Sequence, residues 1–189
     1  MNIGLYFGSF NPVHNGHLII ASFVATNTEL DQVWMVVSPQ NPFKENNTLL
    51  NQYHRLHLIN EAIEGEKKIK ASNIEFNLPK PSYTVDTLAY LKEKFPGHIF
   101  SIIMGSDSFQ NLHKWKNHEV IVNNYHIYIY KRQGFEIKNK LGATVTILNA
   151  PLLEISSTEI RKLIKEKKSI RYLVPDVVKD EIDNNNYYR

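Results

Sequence analysis

The sequence predicts an α/β fold, a doubly wound, mostly parallel sheet with helices on both faces. Two observations carry this. Short apolar runs rich in β-branched and aromatic residues recur at 2–7, 32–37, 69–74, 99–104, 126–130 and 144–148. Between them, and after the last, 17–28, 51–63, 84–95, 115–122 and 158–165 carry apolar residues at three- and four-residue spacing, the pattern of helices with one buried stripe. Such alternation is the rhythm of crossover units, and a parallel sheet covered on both sides is the arrangement that buries strands of this kind.

Each element has its own local reason. The first run holds Ile3, Leu5 and Phe7 and enters the 17–28 helix through a loop rich in Gly, Asn and His. The second run, 32–37, leads into an irregular stretch at 38–50 before the 51–63 helix. On that helix His54 and His57 stand one turn apart with Arg55 between them, which reads as a surface face. The third run is followed by irregular residues 76–83. The 84–95 helix is stopped by Pro96 and Gly97. The fourth run passes into the 105–113 segment. The tyrosines at 125, 128 and 130 suit a strand and need no stacked base to explain them. After an irregular 133–142 and the sixth run comes the 158–165 helix, whose Lys165 to Lys168 end reads as solvated and dipole-compensating. Pro175 then opens a short terminal helix, and residues 184–186 read as a solvated tail.

Composition narrows the function classes. With 189 residues, 42% of them hydrophobic, the chain can bury one sizeable core. Charged residues make up 22% and nearly balance, for a formal charge of +3, so neither disorder nor a basic nucleic-acid surface is favoured. The absence of cysteine excludes a disulfide framework, a thiolate nucleophile and a Cys-containing zinc site. The start lacks the pattern of a signal peptide, which makes the cytoplasm the default location. No apolar segment approaches the ~20 residues of a membrane span.

The strongest chemical signal is the stretch Gly8, Ser9, Phe10, Asn11, Pro12, Val13, His14, Asn15, Gly16, His17, between the first strand and the first helix. Gly8 and Gly16 allow backbone to approach a ligand closely, and the helix start offers unpaired N–H groups to an anion. It is neither the three-glycine dinucleotide fingerprint nor a Walker A loop, since the GK[ST] ending is missing. Zinc is a poor alternative for His14 and His17, because no third ligand stands nearby and no HExxH occurs. Phosphate recognition is the better account. A second cluster follows the last strand: Ile155, Ser156, Ser157, Thr158, Glu159, Ile160, Arg161. The serines can simply cap a helix, but Arg161 lies one turn along the face of Ser157 and is not explained by capping. Hydroxyls, helix-end N–H groups and a guanidinium together make a second phosphate cradle.

These two stretches resemble the HxGH and ISSTxxR motifs of the nucleotidyltransferase superfamily, matched by His14, Gly16 and His17 and by Ile155, Ser156, Ser157, Thr158 and Arg161. The resemblance implies a Rossmann-like sheet, nucleotidyl transfer from ATP or CTP with release of pyrophosphate, and a Mg2+ requirement. Residues 82–88, Gly105-Ser106-Asp107, Leu112 with Trp115, 131–134 and 172–175 are similar to the bacterial nicotinate-nucleotide adenylyltransferase family, so the likeness spans nearly the whole chain. It implies AMP transfer from ATP to nicotinate mononucleotide, giving deamido-NAD, by one nucleotidyltransferase domain over 1–189 with 155–183 a helical part packed on it. It also implies roles. His14, His17 and Arg161 are catalytic. Gly8, Ser9, Phe10, Gly16, Lys44, Gly105, Asp107, Ile155, Ser156 and Ser157 hold ATP. Tyr83 and Thr84 meet the nicotinate carboxylate through their amides, Trp115 stacks on the pyridine ring, and Arg132 meets the mononucleotide. The partners implied are these two small molecules, without nucleic acid or membrane, and a homo-oligomer stays open.

The sequence departs from the family pattern in three places. Asn41-Pro42-Phe43 stands before Lys44 where two prolines and a histidine are common, Lys116 stands where an aromatic usually follows the tryptophan, and Gln133 replaces a frequent proline. The rival readings are a nicotinamide-mononucleotide, phosphopantetheine or glycerol-phosphate nucleotidyltransferase, and a nucleotide-binding module without turnover.

Overall fold

The computed structural model describes residues 1–40, 49–151 and 153–189. Six strands, β1 (Asn2–Gly8), β2 (Gln32–Val37), β3 (Ile69–Ser72), β4 (Ile99–Gly105), β5 (Ile127–Tyr130) and β6 (Val145–Leu148), form one sheet in the order β3-β2-β1-β4-β5-β6. Every pairing is parallel, with Leu5 of β1 facing Trp34 on one side and Ile102 on the other. The expected doubly wound, Rossmann-like sheet is therefore present.

Strand side chains alternate between two cores, as the period of two requires. One core gathers Tyr6, Val33, Met35 and Ile103 with residues of α1 (Asn15–Asn27), α2 (Gln52–Ala62), α6 (Ser157–Lys165) and α7 (Asp176–Asn184). The other gathers Ile3, Leu5, Ile102, Met104 and Ile127 with α3 (Thr84–Lys94), α4 (Ser106–Gln110) and α5 (His118–Asn124). Ile160 and Ile164 of α6 are 0% and 9% exposed, and each such burial stabilises by roughly 1.5–3 kcal/mol. That anchors the second motif to the same layer as the first. No helix among the described residues is long and apolar enough to cross a membrane.

Four local expectations need correction. The third strand stops at Ser72, the last residue paired with β2, and a 3₁₀ turn at Ile74–Asn77 takes over. Trp115 does not begin a helix. It follows a 3₁₀ turn at Leu112–Lys114 in an extended conformation, and Asn117, at φ 48°, delays α5 until His118. Arg55 is not on a surface face. At 1% exposure it is among the largest fully buried side chains, although His54 and His57 beside it are exposed. Residues 184–186 are exposed but are not a free tail. Asn186 takes a left-handed φ of 56° while the Asn186 and Tyr187 amides donate back to Asp183 and Ile182, which turns Tyr187 and Tyr188 onto the core.

Candidate active site

A cavity of about 660 Å3 opens at the carboxyl ends of β1 and β4. These neighbours are where the strand order reverses, the position at which open parallel sheets bind ligands. The volume lies within the range of small-molecule sites. Both motifs line it, as do Tyr83, Thr84, Gly105, Asp107, Trp115 and Arg132.

The first motif is built around His14. Its backbone is extended, and its Nδ1 accepts from the His17 amide at 3.3 Å, so His14 is the N-cap of α1 and the helix starts two residues earlier than expected. An accepting Nδ1 leaves the proton on Nε2. The ring is 4% exposed, and burial followed by the nearby Arg132 charge lowers its pKa to about 4, against the weaker opposing pull of a backbone hydrogen bond. At neutral pH His14 is therefore an uncharged donor. The His17 ring stacks on it with centroids 3.6 Å apart and meets Phe10 edge-on at 4.9 Å. Phe10 holds a left-handed φ of 46° and is 2% exposed, and its ring occupies the space a side chain on Gly8 would need, 2.7 Å from where a Cβ would stand. Gly16 does not line the cavity. A Cβ there would come within 3.0 Å of His14 Nδ1 and 3.6 Å of Ile155, so it clears the space in which the two motifs meet.

The second motif is locked to the first across about 150 positions of sequence. Arg161 Nη1 donates to the Asn11 carbonyl at 2.7 Å and its Nη2 to Thr158 Oγ1 at 3.3 Å. Ser157 Oγ donates to the Pro12 carbonyl at 2.9 Å, so its single hydroxyl proton is used within the protein. Ser156 is the N-cap of α6, accepting from the Glu159 amide. Capping and convergence thus coexist: one serine closes the helix end and the next fastens it to the β1 loop. The first turn of α6 presents N–H groups that have no intrahelical partner.

Also lining the cavity is the start of α3, which begins at Thr84 with Tyr83 as its N-cap and no side-chain capping bond, while the Asp86 and Thr87 amides donate to the Tyr83 carbonyl at 3.0 and 3.2 Å. Trp115 is half-buried there. Asp107 and Arg132 approach to 3.5 Å, and the Arg132 amide is tied to Ser106 Oγ at 2.8 Å. Lys44 lies outside the described residues.

Two buried ionisable residues were not anticipated. Arg55 donates to the carbonyls of Ser9 at 2.5 Å, Leu50 at 2.8 Å, Ser38 at 2.9 Å and Pro39 at 3.3 Å, tying together the loops after β1 and β2. Burial lowers its pKa to about 10, so it stays charged. The signal was present in sequence, since Arg55 falls on the stripe of Leu58 and Ile59 at i+3 and i+4. Glu75, 1% exposed in the cavity wall, accepts from Thr87 Oγ1 at 2.8 Å; burial raises its pKa against the hydroxyls of Thr87, Ser38 and Ser82. No periodicity marks Glu75 in advance.

Among the described residues no group of three or more His, Asp or Glu is gathered to hold a metal. Glu75 and Asp107 are the carboxyls of the described cavity wall. A divalent ion carried by a triphosphate is compatible with that donor set.

The cytidylyltransferase-like family matches residues 5–163. The "probable nicotinate-nucleotide adenylyltransferase" of Flavobacterium psychrophilum is 54% identical over 192 positions, spanning 100% of both chains, and the protein of the same name from Flavobacterium johnsoniae is 53% identical with the same coverage. Among solved structures, the nicotinic acid mononucleotide adenylyltransferase of Plasmodium falciparum complexed with NaAD superposes with a TM-score of 0.86 at 25% identity, over 99% of this chain and 97% of that one. With the two motifs joined in one cavity and relatives of this identity along its full length, the chain belongs to the nicotinate-nucleotide adenylyltransferase family of nucleotidyltransferases.

Proposed function

We propose that this protein transfers the AMP group of ATP to nicotinate mononucleotide, forming deamido-NAD and pyrophosphate, in the cytoplasm. The observation that supports the reading is one cavity lined both by the two motifs and by the start of α3, which has no side-chain capping bond, together with Trp115. In the reaction a phosphate oxygen of the mononucleotide attacks the α-phosphorus of ATP in line. A new P–O bond forms, the bond between the α-phosphorus and the bridging oxygen breaks, and pyrophosphate carries that oxygen away. No protein nucleophile is needed, so catalysis is positioning and charge stabilisation.

His14 donates from Nε2 as a neutral imidazole, and His17 stacked against it contacts the α- and β-phosphate oxygens. The first turn of α6 and the Arg161 charge receive the β- and γ-phosphates. Because the Ser157 hydroxyl already donates to Pro12, Ser157 serves by fixing that turn and by its amide. Gly8, Ser9, Phe10, Gly105, Asp107, Ile155 and Ser156 shape the ATP end, Gly16 gives His14 its room, and Lys44, outside the described residues, is assigned to ATP by the family resemblance alone. A Mg2+ ion held with the triphosphate would supply charge neutralisation there, while the residues of the two motifs hold the phosphates. At the acceptor end the amides of Tyr83 and Thr84 bind the carboxylate, Trp115 stacks on the ring, and Arg132 meets the mononucleotide.

A pyrophosphate-release assay with MgATP and nicotinate mononucleotide, nicotinamide mononucleotide, phosphopantetheine and glycerol phosphate tests this. The highest kcat/KM is expected for nicotinate mononucleotide, since a site that hydrogen-bonds a group rejects its absence. Equal values for the two mononucleotides refute the acceptor assignment, and no pyrophosphate with any acceptor refutes the enzyme reading.

A further inference from the structure

The acceptor end holds a charged side chain that the roles above leave unused. Lys116, where this sequence departs from the family's aromatic, lines the cavity with Tyr83, Thr84 and Trp115. Its position is fixed from both sides, by the extended Trp115 before it and the left-handed Asn117 after it. The ammonium sits 4.7 Å from the Tyr83 ring centroid and bonds both Asp86 oxygens, at 2.8 and 3.1 Å. Asp86 is in the first turn of α3, the turn whose N-cap is Tyr83.

We propose that Lys116 is a specificity-determining residue, the cation that lets an anionic acceptor group settle at the start of α3. The inference rests on the proposed function and deepens it. An acceptor carboxylate on the Tyr83 and Thr84 amides lies one helical turn from the Asp86 carboxylate, and like charges at that separation repel. The Lys116 ammonium cancels Asp86 and attracts the incoming anion. The Lys116 and Asp86 side chains are 44% and 46% exposed, and an ion pair so open to water contributes little to folding. It therefore yields readily to a second anion. The Tyr83 ring meanwhile keeps the ammonium over the turn by cation–π attraction. A neutral amide acceptor gains almost nothing from this charge.

The test is steady-state pyrophosphate release by Lys116→Met with each mononucleotide. The kcat/KM for nicotinate mononucleotide should fall about tenfold, equal to about 1.4 kcal/mol, through KM, while that for nicotinamide mononucleotide and the KM for ATP change less than about twofold. Lys116→Arg should keep the preference, and Asp86→Asn should raise kcat/KM for the acid. Salt should weaken acid binding in the wild type more than in Lys116→Met. An equal loss for both acceptors, or no loss, overturns the proposal. Should Lys116→Met fail to fold, an unchanged or lower acid kcat/KM in Asp86→Asn overturns it by itself. A wild-type enzyme that releases no pyrophosphate with nicotinate mononucleotide overturns the functional reading beneath it, a different result.

Discussion

Arg55 offers a perturbation whose size follows from its surroundings. Replacing it with Met keeps the apolar stem and removes the fork that holds the Ser9, Ser38 and Leu50 carbonyls at 2.5–2.9 Å. Three charge-assisted bonds at roughly 1.5–3 kcal/mol each outweigh the penalty of keeping the cation buried. That penalty, gauged by the lowering from 12.5 to about 10, is about 3 kcal/mol. The net loss should be about 1.5–6 kcal/mol, which in a chain of this length lowers Tm by roughly 3–20 °C. Thermal unfolding followed by circular dichroism measures it. Because the freed loops line the cavity, the KM for ATP should rise in the same variant at temperatures where it is folded. Arg55→Lys should fall between the two, since an ammonium cannot span three diverging carbonyls. If Arg55→Met melts within 2 °C of the wild type, on the order of what 1 kcal/mol moves, the reasoning fails.

Three further outcomes follow from the site. His17→Ala should lose at least about tenfold in kcat, toward the 10²–10³ typical of one preorganised donor, while its Tm stays close to that of the wild type; unchanged turnover removes His17 from the phosphate contacts. Ser157→Ala should cost about 1 kcal/mol of stability, the worth of one net hydrogen bond, with the KM for ATP changed less than about fivefold, and a much larger kinetic loss would mean that the hydroxyl leaves Pro12 for the nucleotide. His14 has a folded pKa of about 4 against 6.5 unfolded, so the unfolded chain binds the extra proton between those values. Stability should be fully present above about pH 6.5 and lost as pH falls toward 4, by about 3 kcal/mol at most. Glu75, raised instead, acts with the opposite sign, so the measurement is the difference between the wild type and His14→Gln, and identical slopes across that window refute the assignment.

What the sequence disclosed and what it concealed divide along physical lines. Strands alternating with amphipathic helices set the sheet and its two covered faces, because burial of apolar stripes is a matter of periodicity, and each of the six runs contains a strand, the third ending two residues early. Motif spacing likewise picked out two distant stretches, around His14 and around Arg161, that line one cavity. Side-chain direction is a different matter. Nothing local says that the Ser157 proton goes to Pro12, that Asn117 turns left-handed and frees Trp115 from a helix, or that Tyr188 folds back onto the core. The first is settled by a partner 145 residues away, the other two by left-handed turns at Asn117 and Asn186 that the residue types do not announce. Arg55 is the instructive miss, a charge on an apolar stripe that looked like surface because its neighbours are histidines. Its acceptors are backbone carbonyls, which carry no residue signature at all.

Trp115 lines the cavity where the acceptor is proposed to bind, while the other of the two tryptophans, Trp34, is held on β2 by its bond to Gln32 and by the rings of Phe95 and Phe100. The protein therefore contains its own optical reporter. With Trp34→Phe the remaining indole emission arises beside the acceptor alone, and a stacked pyridine ring should quench it without any attached dye. Titrating that emission would follow occupancy of the acceptor end independently of turnover, even in variants too slow to assay.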